Sequence, residues 1–207
     1  MTRLISTPYD ALTIGQEAQV SRLCRAEDFL VFAHCSGNLN PMHLPAEDGD
    51  GDGLPEAVAP AAWVAALISG VVGNQLPGPG SLYLSQSLRF VGRAQAGDTL
   101  WVRVRVAQKL GERAVQLAAS VEGPGGLVAE GEVVVRAPDA RRQFDNIVVP
   151  GLIVQSHLHF DALLARAEPL PALPTIVICP ESPDAVLGAV RARDHSLIAP
   201  IFVGAPD

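Results

Sequence analysis

Charge is in short supply in this sequence. Lys, Arg, Asp and Glu make up 18% of its 207 residues, against roughly 25% in ordinary soluble domains, so much of the chain must be buried or covered by another copy. Basic residues are the scarcer sign, 15 against 22 acidic for a net charge of −7. No run of Lys or Arg is present to neutralise successive phosphates, which argues against a nucleic-acid partner. Cysteine is sparse too. Cys24, Cys35 and Cys179 are odd in number and none stands in a CxxC spacing, so neither a disulfide framework nor a zinc site is indicated, and a reducing cytoplasm is the expected location. The N-terminal stretch lacks the apolar run of a signal peptide.

A single long apolar stretch stands out, Ala57–Gly73. It is dominated by Ala and Gly, carries Pro60 and Ser69, and stops at Asn74-Gln75. Such a segment offers lipid few strongly apolar side chains and reads better as a helix from about Val58 to Gly73 buried on all sides, with no membrane partner.

Between Leu82 and Arg136 the pattern changes to alternation with period two, which predicts four strands. Leu82, Leu84, Leu88 and Phe90 share one face of the first. Leu100, Val102, Val104 and Val106 share one face of the second, opposite Trp101, Arg103 and Arg105. The third sets Val115, Leu117, Ala119 and Val121 against Gln116, Ser120 and Glu122, and the fourth sets Leu127, Ala129, Val133 and Val135 against Glu130, Glu132 and Arg136. Gly97-Asp98, Gly111 and Gly123–Gly126 supply the tight connections of an antiparallel meander. Its apolar face needs a cover, and the long apolar helix is the candidate. The expected fold class is therefore α+β, an antiparallel sheet wrapped around a central helix.

Upstream, Phe29, Phe32, Ala33 and Ser36 recur at i, i+3, i+4 and i+7, with Glu27 and Asp28 in the first turn and Gly37 placed to end a short amphipathic helix over Ala26–Ser36. The chain then enters Asn38-Leu39-Asn40-Pro41-Met42-His43, a turn-forming stretch that exposes side chains. Beyond Arg136 the order strand, helix, strand over Thr175–Cys179, Pro183–Asp194 and Ile198–Gly204 predicts the opening of a parallel α/β unit. The expected organisation is a first domain over 1–148, a linker over 149–174 and a truncated α/β segment over 175–207.

Two other clusters have bland readings. Asp48, Asp50, Asp52 and Gly53 imitate half of a calcium loop, but position twelve is Ala59 and Pro55 interrupts, so an acidic surface loop is expected. His157 and His159 would share one face of a strand, yet the further ligands of a metal site are missing, so they read as linker histidines.

Ser36-Gly37-Asn38-Leu39-Asn40-Pro41-Met42-His43 resembles the signature of MaoC-like hydratases. Trp63–Ser69, Leu76–Leu84 and Leu88–Phe90 are similar to the central helix and following strand of that family, and the tail from Phe160 to Gly204 looks like the beginning of a phosphate acetyl- or butyryltransferase. The resemblance implies a hotdog fold and a homodimer or higher homo-oligomer. It implies an (R)-specific enoyl-CoA hydratase, or 3-hydroxyacyl thioester dehydratase, of fatty acid metabolism, acting on an acyl-CoA thioester with no cofactor. It also assigns site residues: an acid–base pair at Asn38 and His43, and a main-chain N–H at Ala61, at the start of the central helix, for the thioester oxygen.

Three positions depart from the family pattern. Asn38 replaces an Asp, and an amide does not accept a proton near neutral pH. Pro60-Ala61 replaces His-Gly, and the Ala61 Cβ occupies space a Gly leaves open. These departures motivate the alternative of a non-catalytic acyl-CoA-binding or dimerisation module of a phosphate acetyltransferase-type protein.

Overall fold

The computed structural model describes residues 3–49, 51–55, 57–145, 147–149, 151, 158–180 and 182–204. The chain divides into two compact units, Met1–Val154 and Gln155–Asp207.

The first unit runs β1 (Arg3–Ile5), β2 (Glu17–Leu23), α1 (Ala26–Ser36), α2 (Ala61–Asn74), β3 (Leu82–Phe90), β4 (Thr99–Gly111), β5 (Ala114–Gly123), β6 (Gly126–Arg136) and β7 (Gln143–Asp145). Five strands form an antiparallel sheet in the order β2-β4-β5-β6-β3, and β1 pairs separately with β7. The hydrophobic effect decides which face of the sheet turns inward. Leu100, Val102, Val104 and Val106 of β4 and Val115, Leu117 and Val121 of β5 are fully buried, and α2 meets them with Trp63, Val64, Ile68, Val71 and Val72. This is the hotdog arrangement of one antiparallel sheet packed on a central helix.

Two expectations need correction. The apolar face of β3 is covered only in part within the unit: Leu82, Leu84 and Phe90 are 56%, 44% and 42% exposed, while Leu88 and, from the other expected face, Tyr83 pack on the core. The cause is an edge position together with a register shift between Tyr83 and Ser85, which exchanges the inward and outward parities. Leu127 is likewise exposed, beside a shift between Val121 and Glu122. The central helix starts at Ala61 rather than near Val58. Pro60 disfavours helical backbone in the residue before it, and Val58 instead bridges Gln95. Gly131 of β6 is a positional requirement, since a Cβ there would run into the Ser87 carbonyl oxygen of β3.

The second unit holds α3 (Leu158–Ala167), β8 (Leu173–Ile178), α4 (Pro183–Asp194) and β9 (Ile198–Val203), with β8 and β9 parallel. The Ser182 side chain caps α4 by accepting the Ala185 N–H. The stretch read as a linker thus contains α3. His159 lies in that helix rather than in a strand, and His157 falls outside the described residues. No helix among the described residues is long and apolar enough to cross a membrane.

Candidate active site

Helix α1 ends where Gly37 adopts φ 72°, a left-handed conformation that glycine reaches without strain. From there a chain of short-range hydrogen bonds shapes the turn. The Ser36 hydroxyl donates to the Phe32 carbonyl at 2.6 Å and accepts the Asn38 N–H at 3.2 Å. Asn38 Oδ1 accepts the Asn40 N–H at 3.1 Å, and Asn40 Oδ1 accepts the Met42 N–H at 3.2 Å. Asn and Pro are suited to this, because a short amide side chain can bond main chain two residues on while Pro41 presets the following 3-10 turn over Pro41–His43.

The turn is then tied to the entry of α2 from both sides of one residue. The Val58 N–H donates to the Met42 carbonyl at 3.1 Å. His43 Nδ1 lies 2.9 Å from the Val58 carbonyl oxygen. A carbonyl oxygen only accepts, so Nδ1 carries the hydrogen, and the neutral imidazole keeps its lone pair on Nε2. Ala59 is held in turn by its N–H to the Ala94 carbonyl at 2.8 Å.

Two residues further on, α2 begins. The Val64 N–H bonds the Pro60 carbonyl at 3.0 Å, while among the described residues the N–H groups of Ala61, Ala62 and Trp63 have no acceptor in the chain. These are the free donors every helix start presents, and the helix dipole adds partial positive charge there. Phe29 and Trp63 meet edge to face, with ring centroids 5.2 Å apart at 84°, and this contact holds α1 against α2. Asn38 and Ala61 are exposed and His43 is half-buried.

The structure therefore links His43 directly to the strand-like entry of α2, three residues before Ala61, and links Asn38 to His43 through the turn's own backbone. Because Asn38 Oδ1 faces the Asn40 N–H, the Nδ2 amide occupies the place of the second oxygen a carboxylate would have. A donor stands where an acceptor would stand. Met42 and Val58, whose main-chain groups complete the frame, have no sequence signal, since every residue carries the same C=O.

The side-chain clusters named from the sequence behave differently. Asp48 carboxylate oxygens accept the Gly51 and Gly53 N–H groups at 2.6 and 2.8 Å, and Asp52 accepts the Leu54 N–H at 2.8 Å, so these carboxylates shape their own loop; Asp50 lies outside the described residues. Burial pushes the Cys24 thiol up to about 11, with the Asp98 and Asp28 carboxylates adding to the shift.

Residues 10–124 match the family described as MaoC like domain. The chain belongs to that family. Over its MaoC-like part it is 32% identical to a 3-hydroxybutyryl-CoA dehydratase of Methylorubrum extorquens, across 63% of this chain and 83% of that protein. It is 33% identical to an (R)-specific enoyl-CoA hydratase of Aeromonas caviae, across 62% and 97%. The unliganded (R)-hydratase of Pseudomonas aeruginosa superposes with a TM-score of 0.69 at 32% identity, covering 74% of this chain and 99% of that one. None of these likenesses addresses residues 175–207 as a phosphate acyltransferase.

Proposed function

We propose that this MaoC-like domain is an (R)-specific enoyl-CoA hydratase, running equally as a 3-hydroxyacyl thioester dehydratase. The observation that carries the reading is the 2.9 Å contact between His43 Nδ1 and the Val58 carbonyl oxygen, which makes Nδ1 the donor and leaves Nε2 to accept a proton in the neutral ring. Because Asn38 cannot act as the base, His43 does both jobs. Nε2 takes a proton from water as the oxygen bonds to C3, the C2=C3 electron pair moves onto C2 and the thioester, and the same Nε2 returns the proton to C2. The Asn38 amide orients the water. The N–H of Ala61, backed by the α2 dipole, accommodates the charge that develops on the thioester oxygen.

The related proteins named above are hydratases and a dehydratase, so the alternative of a non-catalytic binding or dimerisation module gains no support from them. A homodimer or higher oligomer in the cytoplasm belongs to the same proposal; the exposed apolar edge of β3 is the surface that a second copy would cover. Residues 175–207 are proposed as the start of a phosphate acyltransferase α/β segment, supported by the parallel β8-α4-β9 order.

The test is loss of crotonyl-CoA absorbance on addition of the full chain. The reading requires a measurable rate; no turnover in the wild type would sink it.

A further inference from the structure

One end of the sheet gathers positive charge inside an acidic protein. Arg136 closes β6, paired on one side with Leu82 of β3 and on the other with Ala114 of β5. Arg113 stands immediately before β5, and its carbonyl accepts the Ala137 N–H at 2.8 Å. The chain then turns through Pro138–Arg142, and buried Ser6 pins this turn. The Ser6 N–H donates to the Arg142 carbonyl at 2.9 Å, and its hydroxyl accepts the Arg142 N–H at 2.8 Å. Between this turn and Gly80 lies a cavity of about 240 Å³, lined among others by Leu82, Arg113, Arg136, Asp139 and Arg142.

Three arginines and one carboxylate line this cavity. Asp139 is shared, its two oxygens lying 3.7 Å from Arg113 and 3.2 Å from Arg142, and among the described residues Arg136 has no ion pair. A main-chain hydrogen bond and the Arg142 guanidinium hold the Asp139 carboxyl below its usual range, so it is ionised at neutral pH and still offsets only one of three positive charges. Surface ion pairs stabilise little by themselves. Like charges collected in a concave frame repel one another, and a bound anion relieves that repulsion. Guanidinium groups also match the oxygen spacing of a phosphate and give up their hydration readily.

We infer that this cavity binds a phosphate group carried by a small ligand. It is distinct from the His43 site: Gly80 follows the last residues of α2, whereas Ala61 begins that helix, and 14 helical residues span roughly 21 Å. Two sources share the required chemistry, a free inorganic anion such as pyrophosphate and the phosphorylated nucleotide end of a CoA thioester. The inference stands on the arginine geometry and does not depend on hydratase turnover.

Calorimetric titration of the full chain at constant low ionic strength tests it, with pyrophosphate, adenosine 3′,5′-bisphosphate, CoA and dephospho-CoA as probes. Saturable binding of at least one is expected, weakened about ten-fold or more in Arg136→Gln, less in Arg136→Lys, and unchanged in Arg103→Gln. Arg103 is the charge-matched control because it lies on β4 and bonds Gln19. CoA binding that exceeds dephospho-CoA and falls in Arg136→Gln assigns the nucleotide phosphate; an Arg136-dependent response to pyrophosphate with none to CoA assigns the free anion. Absence of saturable binding by any probe, or equal weakening in Arg103→Gln, overturns the proposal. Circular dichroism of each variant confirms that the fold is retained.

Discussion

His43 and Val58 are joined side chain to main chain, Nδ1 to carbonyl oxygen at 2.9 Å, and this contact fixes both the direction of the imidazole and the position of its free nitrogen. A general base is useful only with its lone pair aimed at the proton it removes. In the proposed reaction that aim is set by a backbone carbonyl, which neither titrates nor rotates away.

Removal of the imidazole is expected to abolish most turnover. His43→Ala should lower kcat/KM for crotonyl-CoA hydration by about 10²–10⁴-fold, the usual share of one positioned acid–base group. His43→Gln keeps a donor for the Val58 carbonyl but has no basic nitrogen; a rate near wild type in that variant would show that another group moves the proton.

Asn38→Asp should raise the hydration rate, up to about 10²-fold, by placing a carboxylate oxygen where the Nδ2 amide now stands. The second carboxylate oxygen can still accept the Asn40 N–H, so the turn is expected to hold. Steady-state kinetics at matched pH checks this, with the gain expected in kcat rather than in KM.

The exposed β3 edge predicts self-association. Leu84→Lys, 44% exposed and outside the core cluster, should shift the protein towards monomer in sedimentation velocity while leaving its circular dichroism unchanged. An unaltered sedimentation coefficient would show that the copies meet elsewhere or not at all.

Thiol reactivity separates the three cysteines. With the Cys24 thiol held up to about 11 by burial, its thiolate fraction near pH 7 is about 10⁻⁴, and the side chain is also covered. Cys35 and Cys179 are exposed. Brief treatment of the native chain with a maleimide should label these two by mass spectrometry, and Cys24 only after denaturation.

In the core, Ile68 of α2 is fully buried beneath the sheet. Ile68→Ala is expected to cost about 2–5 kcal/mol of stability, lost transfer energy plus the cavity left behind. Urea unfolding should show a lower midpoint with little change in slope.

Much of this architecture was legible from local pattern. The period-two runs of β4 and β5 predicted their inward faces residue by residue, and Phe29, Ala33 and Gly37 marked α1 and its end. The pattern failed in the first part of β3, where a register shift at an edge strand turns Tyr83 inward, and held beyond it at Leu88. Alternation reports two faces, but only the neighbouring strands decide which one is covered.

The sequence by itself determined α1, α2, the strands β3 to β6, the strand-helix-strand order of the second unit, the family, and the chemical types present at positions 38, 43 and 61. Strands β1, β2 and β7 and helix α3 carried no pattern strong enough to be read. Side-chain chemistry and hydrophobic period are local properties of the chain and can be read without coordinates. Only the tertiary structure decided which nitrogen of His43 is free, that Asn38 turns its oxygen towards Asn40, and that three arginines from separate stretches line one cavity. Those facts depend on main-chain groups and charges brought together across long separations, and a carbonyl looks the same at every position until the fold selects one.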